Sequence, residues 1–473
     1  MSMKFEATYD SVHQHQIPAW YNDAKFGIFV HWSLFSVPAY AAEQTKDIST
    51  IMEEEGMAAT FANMPYAEWY LNSLRIPGSP TQAYHKKHYG DKEYWDFQKD
   101  FEEQNANLNV TDWAKFFKKA GAKYVVLVTK HHDGYTLWPT DTPNPILKDY
   151  YSKRDFVGEL TDAVRAEDMK MGLYYSGVFD WTFKTEVPID GPRGMLEHKN
   201  MSQEYINYSV AHFKELIDKY KPSVLWNDIG FPIGYDLNEL FSYYYNNVED
   251  GVINDRWGQD KIPTTEEEWE AVKEKNSSDA FAGDTLTHYD FKTPEYQIYE
   301  EIPPYKWETT RGIGRSFGFN RTESGSDYLT GKEIIDMLVR VVSRNGNLLL
   351  NIGPRADGSI PFEQMKPLLE VGAWLDINGE GIYGTRPNDI SERKDGNDEA
   401  VIFTQNDEAV FATSLLQELP SKLTIKDFNI PEGRTVTLLG TGNTVYENIG
   451  NDVVITIPEN YTKELAYTFK ISK

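Results

Sequence analysis

Five short apolar runs in this sequence end on residues that can do chemistry: His31-Trp32, His131-His132-Asp133, Tyr174-Tyr175-Ser176, Trp226-Asn227-Asp228 and Asn254-Asp255-Arg256. A single polar residue at the end of a strand is ordinarily a cap or a turn residue. Five in register would line one pocket with imidazole, phenol, indole, carboxylate and guanidinium groups. That mixture of hydrogen-bonding groups and aromatic faces suits a neutral sugar. Asp228 could act as a carboxylate nucleophile if Arg256, His31 or the paired histidines supply the donors that keep it ionised. Its plainer reading is the N-cap of a following helix. Acid–base work at a glycosidic bond needs a second carboxyl group. Glu295 in FKTPEY, Glu308 in KWETTRG and Glu68 in AEWY compete for that role. Local sequence does not choose among them, and Glu295 by itself reads as a surface-loop carboxylate.

The elements that must position these groups alternate between strand and helix. Lys25–His31, Tyr124–Thr129, Met171–Ser176, Ser223–Asp228, Gly251–Arg256 and Gly346–Ile352 read as strands, several of them almost wholly apolar as strands buried on both faces are. Between them lie amphipathic stretches. One is capped at Thr111, with Trp113, Phe116, Phe117 and Ala120 on one face, and ends at Gly121. Others are capped at Asp155, run over Ser202–Tyr220, or pass through Ile334–Val342. Such alternation implies a parallel sheet. No GxGxxG motif opens a helix after the first strand, and the length suits a (β/α)8-like, TIM-type barrel, in which reacting groups sit at the C-terminal ends of strands. After about Gly384 short alternating runs separated by Asn, Gly, Pro and Asp predict an antiparallel β-sandwich. The expected division is a catalytic barrel over 1–384 and a sandwich over 385–473. The stretch 257–287, with its acidic run Glu266–Glu268 and little apolar periodicity, reads as an insertion made of loop or poorly packed helix.

Composition removes several function classes. The 473 residues are too many for one core, and 40% hydrophobic and 14% aromatic residues supply ample material to bury. A formal charge of −26 argues against nucleic-acid binding and against anionic membranes. No run reaches the roughly 18 apolar residues of a membrane span, and the N-terminus has no apolar signal region, so the expected location is cytoplasmic. The absence of cysteine rules out disulfides and thiolate metal sites. Strand-end histidines could still bind metal as in barrel metallohydrolases, but that class presents two histidines two apart on one strand, whereas His131 and His132 are adjacent. No metal or other cofactor is expected, and a homo-oligomer is compatible with the composition.

At this point a resemblance becomes specific. WYNDAKFGIFVHWSLFSVPA (20–39), YAEWY (66–70), AKYVVLVTKHHDGYTLW (122–138), GLYYSGVFDW (172–181), VLWNDIG (224–230), NDRWG (254–258), HYDFKTPEY (288–296), YKWETTRGIGRSFGFN (305–320) and VVSRNGNLLLNIGPRADG (341–358) match, in order, the family 29 glycoside hydrolases. The resemblance covers residues 18 to 384, and that family also carries a C-terminal sandwich. It implies an exo-acting, retaining α-L-fucosidase that removes terminal fucose from fucosylated glycans or glycosides. Asp228 would be the nucleophile and Glu295, through the FKT-x-EY match, the acid/base. It further implies that His31, Glu68, Trp69, His131, His132, Tyr174, Trp226, Arg256 and Phe317 contact fucose, with Phe29 and Trp32 close by. Phe29, Trp226 and Phe317 would receive the sugar's methyl group, and His31 and His131 its axial hydroxyl. The chain departs from the family pattern at Ser33, where Gly is usual, at Ile229, where Met or Gly is common, and in the insertion before Glu295.

Overall fold

In a computed structural model describing residues 4–44, 46, 48–184, 187–273 and 287–473, the first sheet has seven strands. They are β1 (Phe26–Val30), β2 (Tyr124–Lys130), β3 (Lys170–Ser176), β4 (Val224–Asp228), β5 (Val252–Ile253), β6 (Trp307–Gly312) and β7 (Gly346–Ile352). Their order is β5-β4-β3-β2-β1-β7-β6, and every pairing is parallel. Residues 290–296 run between the two edges. Asn254 bridges Phe291, Lys292 bridges Trp307 and Glu295 bridges Thr310, all in parallel sense. The Asp290 amide donates to Ile253 O at 3.0 Å, and the Glu308 amide donates to Lys292 O at 2.8 Å. This extended piece joins β5 to β6, so eight segments form the (β/α)8-like barrel.

Strand alternation sorts the side chains between two cores. Phe26, Ile28 and Val30 of β1 join the large core under the helices, with Val125, Leu127, Leu173 and Leu225. Phe29 belongs to the barrel interior, with Tyr124, Val126, Val128, Tyr174, Val224, Trp226 and Leu349. Gly27 makes room for one of them, since a Cβ there would lie 2.6 Å from the Tyr124 ring. Burial on both faces explains why these strands read as unbroken apolar runs.

Some sequence boundaries move, each for a local reason. The strand expected over 251–256 shrinks to Val252–Ile253 because the Asn254 side chain replaces a ladder pair: its Oδ1 accepts from Asn227 N at 3.0 Å and its Nδ2 donates to Asn227 O at 2.8 Å. The helix over Val110–Lys119 is capped by Asn109, whose Oδ1 accepts from Thr111 N, so the cap falls two residues before the expected Thr111. Asp155 caps Phe156–Ala166 through Gly158 N at 2.8 Å. The acidic run in the insertion opens a helix over Glu266–Lys273, where Glu268 accepts from the amides of Thr264 and Thr265. The rest of the insertion, 274–286, lies outside the described residues.

The C-terminal strands are β8 (Arg386–Lys394), β9 (Ala400–Gln405), β10 (Ala409–Ser414), β11 (Lys422–Ile425), β12 (Val436–Leu438), β13 (Gly442–Ile449), β14 (Asp452–Thr456) and β15 (Tyr467–Ser472). They pair antiparallel in the order β11-β14-β13-β12-β15-β10-β9-β8. An antiparallel bridge between Asp395 and Ile425 brings the edges together, so the sheet folds over its own core of Phe403, Leu423, Ile455 and Phe469. Trp374 donates to Ala466 O at 2.9 Å, and Arg340 pairs with Glu392 at 3.0 Å, which docks this unit on the barrel helices. Among the described residues no helix is long and apolar enough to cross a membrane.

Candidate active site

The alternation that places Trp226 inside the barrel also places Asp228, two residues on, at the inner rim of β4. Its carboxylate has three donors. Tyr174 Oη donates to Oδ2 at 2.8 Å, and Arg256 Nη1 and the Ile229 amide donate to Oδ1 at 2.9 Å and 3.0 Å. The last bond has a conformational cost, because Ile229 adopts φ +66°, a left-handed geometry that a β-branched residue rarely takes. Burial alone would push the Asp228 carboxyl up. Arg256 and the Tyr174 hydroxyl together outweigh it and hold the group below the ordinary 3.8.

Arg256 reaches a second carboxylate. Its Nη2 lies 2.7 Å from Glu295 Oε1, so one guanidinium spans Asp228 and Glu295. Thr293 fixes that guanidinium by accepting from Nε at 2.9 Å on its hydroxyl and from Nη2 at 3.0 Å on its carbonyl. The Thr293 hydroxyl in turn donates to Asp255 Oδ1 at 2.6 Å. The guanidinium also stacks 4.7 Å from the Trp226 ring. The Glu295 side chain is about a third exposed, the Asp228 side chain 12%. Tyr296, directly after Glu295, is left-handed too, at φ +53°.

Around this pair stand the aromatic and imidazole groups. His31 lies between Phe29, Phe317, Tyr174 and His131, with ring centroids 4.6–5.8 Å away. Tyr174 stacks on Trp226 at 5.5 Å, and Trp69 meets His132 edge-on at 5.3 Å. His31 Nδ1 contacts Asn351 Oδ1 at 2.6 Å and His132 Nδ1 contacts Ser176 Oγ at 2.7 Å, which fixes both ring orientations. Burial lowers the three imidazoles, His31 to about 4 and His132 to about 3, with His131 also well below its usual range. All three are therefore neutral hydrogen-bonding groups at pH 7. His131 Nδ1 is buried and has no hydrogen-bond partner among the described residues.

The three competing glutamates separate by position. Glu308 is fully buried inside the barrel, where Tyr21 (2.9 Å), Tyr124 (2.5 Å) and the Trp226 indole (3.1 Å) donate to it. It holds the indole of Trp226 in place and does not touch Asp228 or Arg256. Burial raises its carboxyl despite those donors. Glu68 is buried as well and accepts from Gly318 N at 2.8 Å and Ser316 Oγ at 3.3 Å, which ties the 67–69 turn to the loop carrying Phe317. Burial pushes it up to about 7, against those hydrogen bonds and helped by the charge of Glu295. Of the three, Glu295 alone shares a cation with Asp228.

Trp32, expected close by, faces the other way. It packs on Phe101, Trp113 and Phe156 in the outer core and donates to Arg355 O, because it is one residue out of phase with His31. Thr293, Asn351 and Ser316 escaped sequence reading. They are small polar residues that act on other side chains, and only the motif segments around them could have pointed there.

A parallel barrel whose strand ends join two carboxylates through one arginine, beneath a ring of aromatic and neutral imidazole groups, defines a barrel glycoside hydrolase. Residues 1–380 match the family model described as alpha-L-fucosidase. The α-L-fucosidase of Dictyostelium discoideum is 35% identical over 82% of this chain and 76% of its own length. The tissue α-L-fucosidase of Rattus norvegicus is 31% identical over 98% of this chain and 91% of its own. Among solved structures, the Thermotoga maritima α-fucosidase in complex with fucose is similar with a TM-score of 0.83 at 39% identity, over 98% of this chain and 100% of that one. The chain belongs to the α-L-fucosidase family, and its activity is that of an α-L-fucosidase.

Proposed function

We propose that this chain removes terminal α-L-fucose by double displacement with net retention, Asp228 acting as nucleophile and Glu295 as acid/base. The observation that carries the proposal is the single Arg256 guanidinium that joins the two carboxylates. Retaining enzymes hold such groups about 5–5.5 Å apart, and a shared fork keeps a pair within that order of distance. Asp228 attacks the anomeric carbon while Glu295, in its carboxylic acid form and turned away from Arg256, passes its proton to the departing oxygen. The ester removes the Asp228 charge, which leaves Glu295 as the anionic partner of Arg256. Glu295 then takes a proton from the water that releases fucose.

Phe29, Trp226 and Phe317 form the apolar wall for the 6-methyl group, supported by the contacts of Phe29 and Phe317 with His31 and of Phe29 with Trp226. The neutral rings of His31 and His131 donate to or accept from the sugar hydroxyls. The fucose held by the Thermotoga maritima relative supports the same sugar here. Proton NMR of an aryl α-L-fucoside during early turnover tests the stereochemistry. The α-anomer of free fucose should appear first, and prompt release of the β-anomer would rule out retention.

A further inference from the structure

We propose that His15, His288 and Asp290 form a binding site for one divalent transition-metal ion of the zinc type, away from the reacting carboxylates. Among the described residues these three offer ligand atoms that all lie within 4.8 Å of one another. His15 Nδ1 is 2.7 Å from Asp290 Oδ1, and His288 Nε2 is 3.7 Å from the same oxygen. Two imidazoles and a carboxylate are the ligand types that zinc selects, at about 2.0–2.2 Å from the ion. Tetrahedral coordination would set the donor atoms about 3.3 Å apart. The two observed distances to Asp290 fall on either side of that value, each within about 0.6 Å of it, and the two histidine ligand nitrogens lie within 4.8 Å of each other.

The surroundings are built to aim the ligands rather than merely to fill space. Asp290 Oδ2 is already taken by the Ile253 amide and the Tyr245 hydroxyl, both at 2.8 Å, which turns Oδ1 toward the imidazoles. His15 lies flat on Tyr245, with centroids 3.9 Å apart and planes within 10°. His13 Nδ1 stands 3.3 Å from His288 Nδ1, the ring nitrogen on the far side from Asp290. That is the outer-sphere contact that fixes the tautomer of a metal-bound histidine. Proton accounting closes within the cluster. His288 Nε2 is hydrogen-bonded to Tyr245 Oη at 2.8 Å, and an ion would displace that contact; His15 then carries its proton on Nε2, His288 Nδ1–H donates to His13, and Tyr245 keeps Asp290 as its acceptor.

The ion would tie the N-terminal segment to the start of the 290–296 segment that joins β5 and β6. Glu295 lies five residues beyond Asp290, about 16 Å along an extended chain. The site is therefore structural, and turnover does not pass through it. Metal-free protein should take up one equivalent of Zn²⁺ by calorimetry, and Co²⁺ should give the d–d absorption of a four-coordinate ion. His15→Gln and His288→Gln should each abolish both signals, with circular dichroism confirming the fold. His13→Ala, on an exposed residue that does not threaten folding, should weaken binding about 10- to 100-fold. Zn²⁺ should raise the melting temperature of the parent chain but not of the two ligand variants, while metal-free enzyme still cleaves an aryl fucoside. Failure of the parent chain to bind one equivalent, or unchanged binding in His15→Gln and His13→Ala, would overturn the proposal.

Discussion

Arg256 donates to Asp228 Oδ1 at 2.9 Å through Nη1, while its other terminal nitrogen pairs with Glu295 at 2.7 Å. A lysine could keep the charge at this place but not the fork, so Arg256→Lys leaves at most one carboxylate held. We expect kcat/KM to fall about 100-fold, the scale of a misplaced catalytic group. The acid limb of the pH profile carries the sharper information. Arg256 helps hold Asp228 below 3.8, so Arg256→Ala, which removes the charge as well as the fork, should move that limb to higher pH. An acid limb that stays in place would mean that Arg256 does not control Asp228.

Asp228 itself is tested by removal. Asp228→Gly should keep the fold, because the residue sits at the barrel rim, and should lower kcat by roughly 10⁴-fold or more. Azide should enter the vacated space, partly restore cleavage of an aryl fucoside and yield the β-fucosyl azide. Retention of most activity, with no response to azide, would remove Asp228 from the role.

Glu68 should leave its mark on stability rather than on the chemical step. Its carboxyl is raised from 4.5 to about 7 by burial. Folding therefore favours the protonated form, so the contribution is fully present below pH 4.5 and is lost as pH rises through 7. Glu68→Gln keeps a neutral group on Gly318 and Ser316 and should flatten the change in stability over that window, a span of roughly 3 kcal/mol at most. Chemical denaturation of both proteins at pH 5 and pH 8 checks this. Equal pH slopes would place the titration elsewhere.

How much of this was legible follows from what each residue does. Period-two alternation in VLWND and FGIFVH put Trp226, Asp228, Phe29 and His31 on one inner face, and apolar runs announced the strands. Trp32 was misplaced because adjacency in a motif was read as adjacency in space. Asn254 hid the end of β5, since a side chain doing backbone work has no periodic signature. β13 carries no apolar run, because its residues are mostly exposed. HQH at 13–15 and HYD at 288–290 lie far apart in sequence, and only the fold brings them together.

The choice between Glu295 and Glu308 comes down to what each carboxyl touches. An acid/base helps the first step only as far as the leaving group needs a proton, whereas the second step always needs a base. Glu295→Ala should therefore spare cleavage of a dinitrophenyl fucoside far more than that of a fucosylated oligosaccharide. It should also flatten the basic limb of the pH–rate profile and respond to azide by giving the α-fucosyl azide, formed on the surviving Asp228 ester. Glu308 touches two tyrosines and the Trp226 indole. Its loss strands three buried donors, at about 1–3 kcal/mol for each one left unpaired. Glu308→Gln should consequently lower the melting temperature and slow activated and unactivated substrates by the same factor, because a tilted Trp226 misplaces the sugar whatever its leaving group. Azide should do nothing for it. Rescue of the Glu308 variant by azide, with none for Glu295→Ala, would exchange the two roles and make the Arg256–Glu295 pair a purely structural contact.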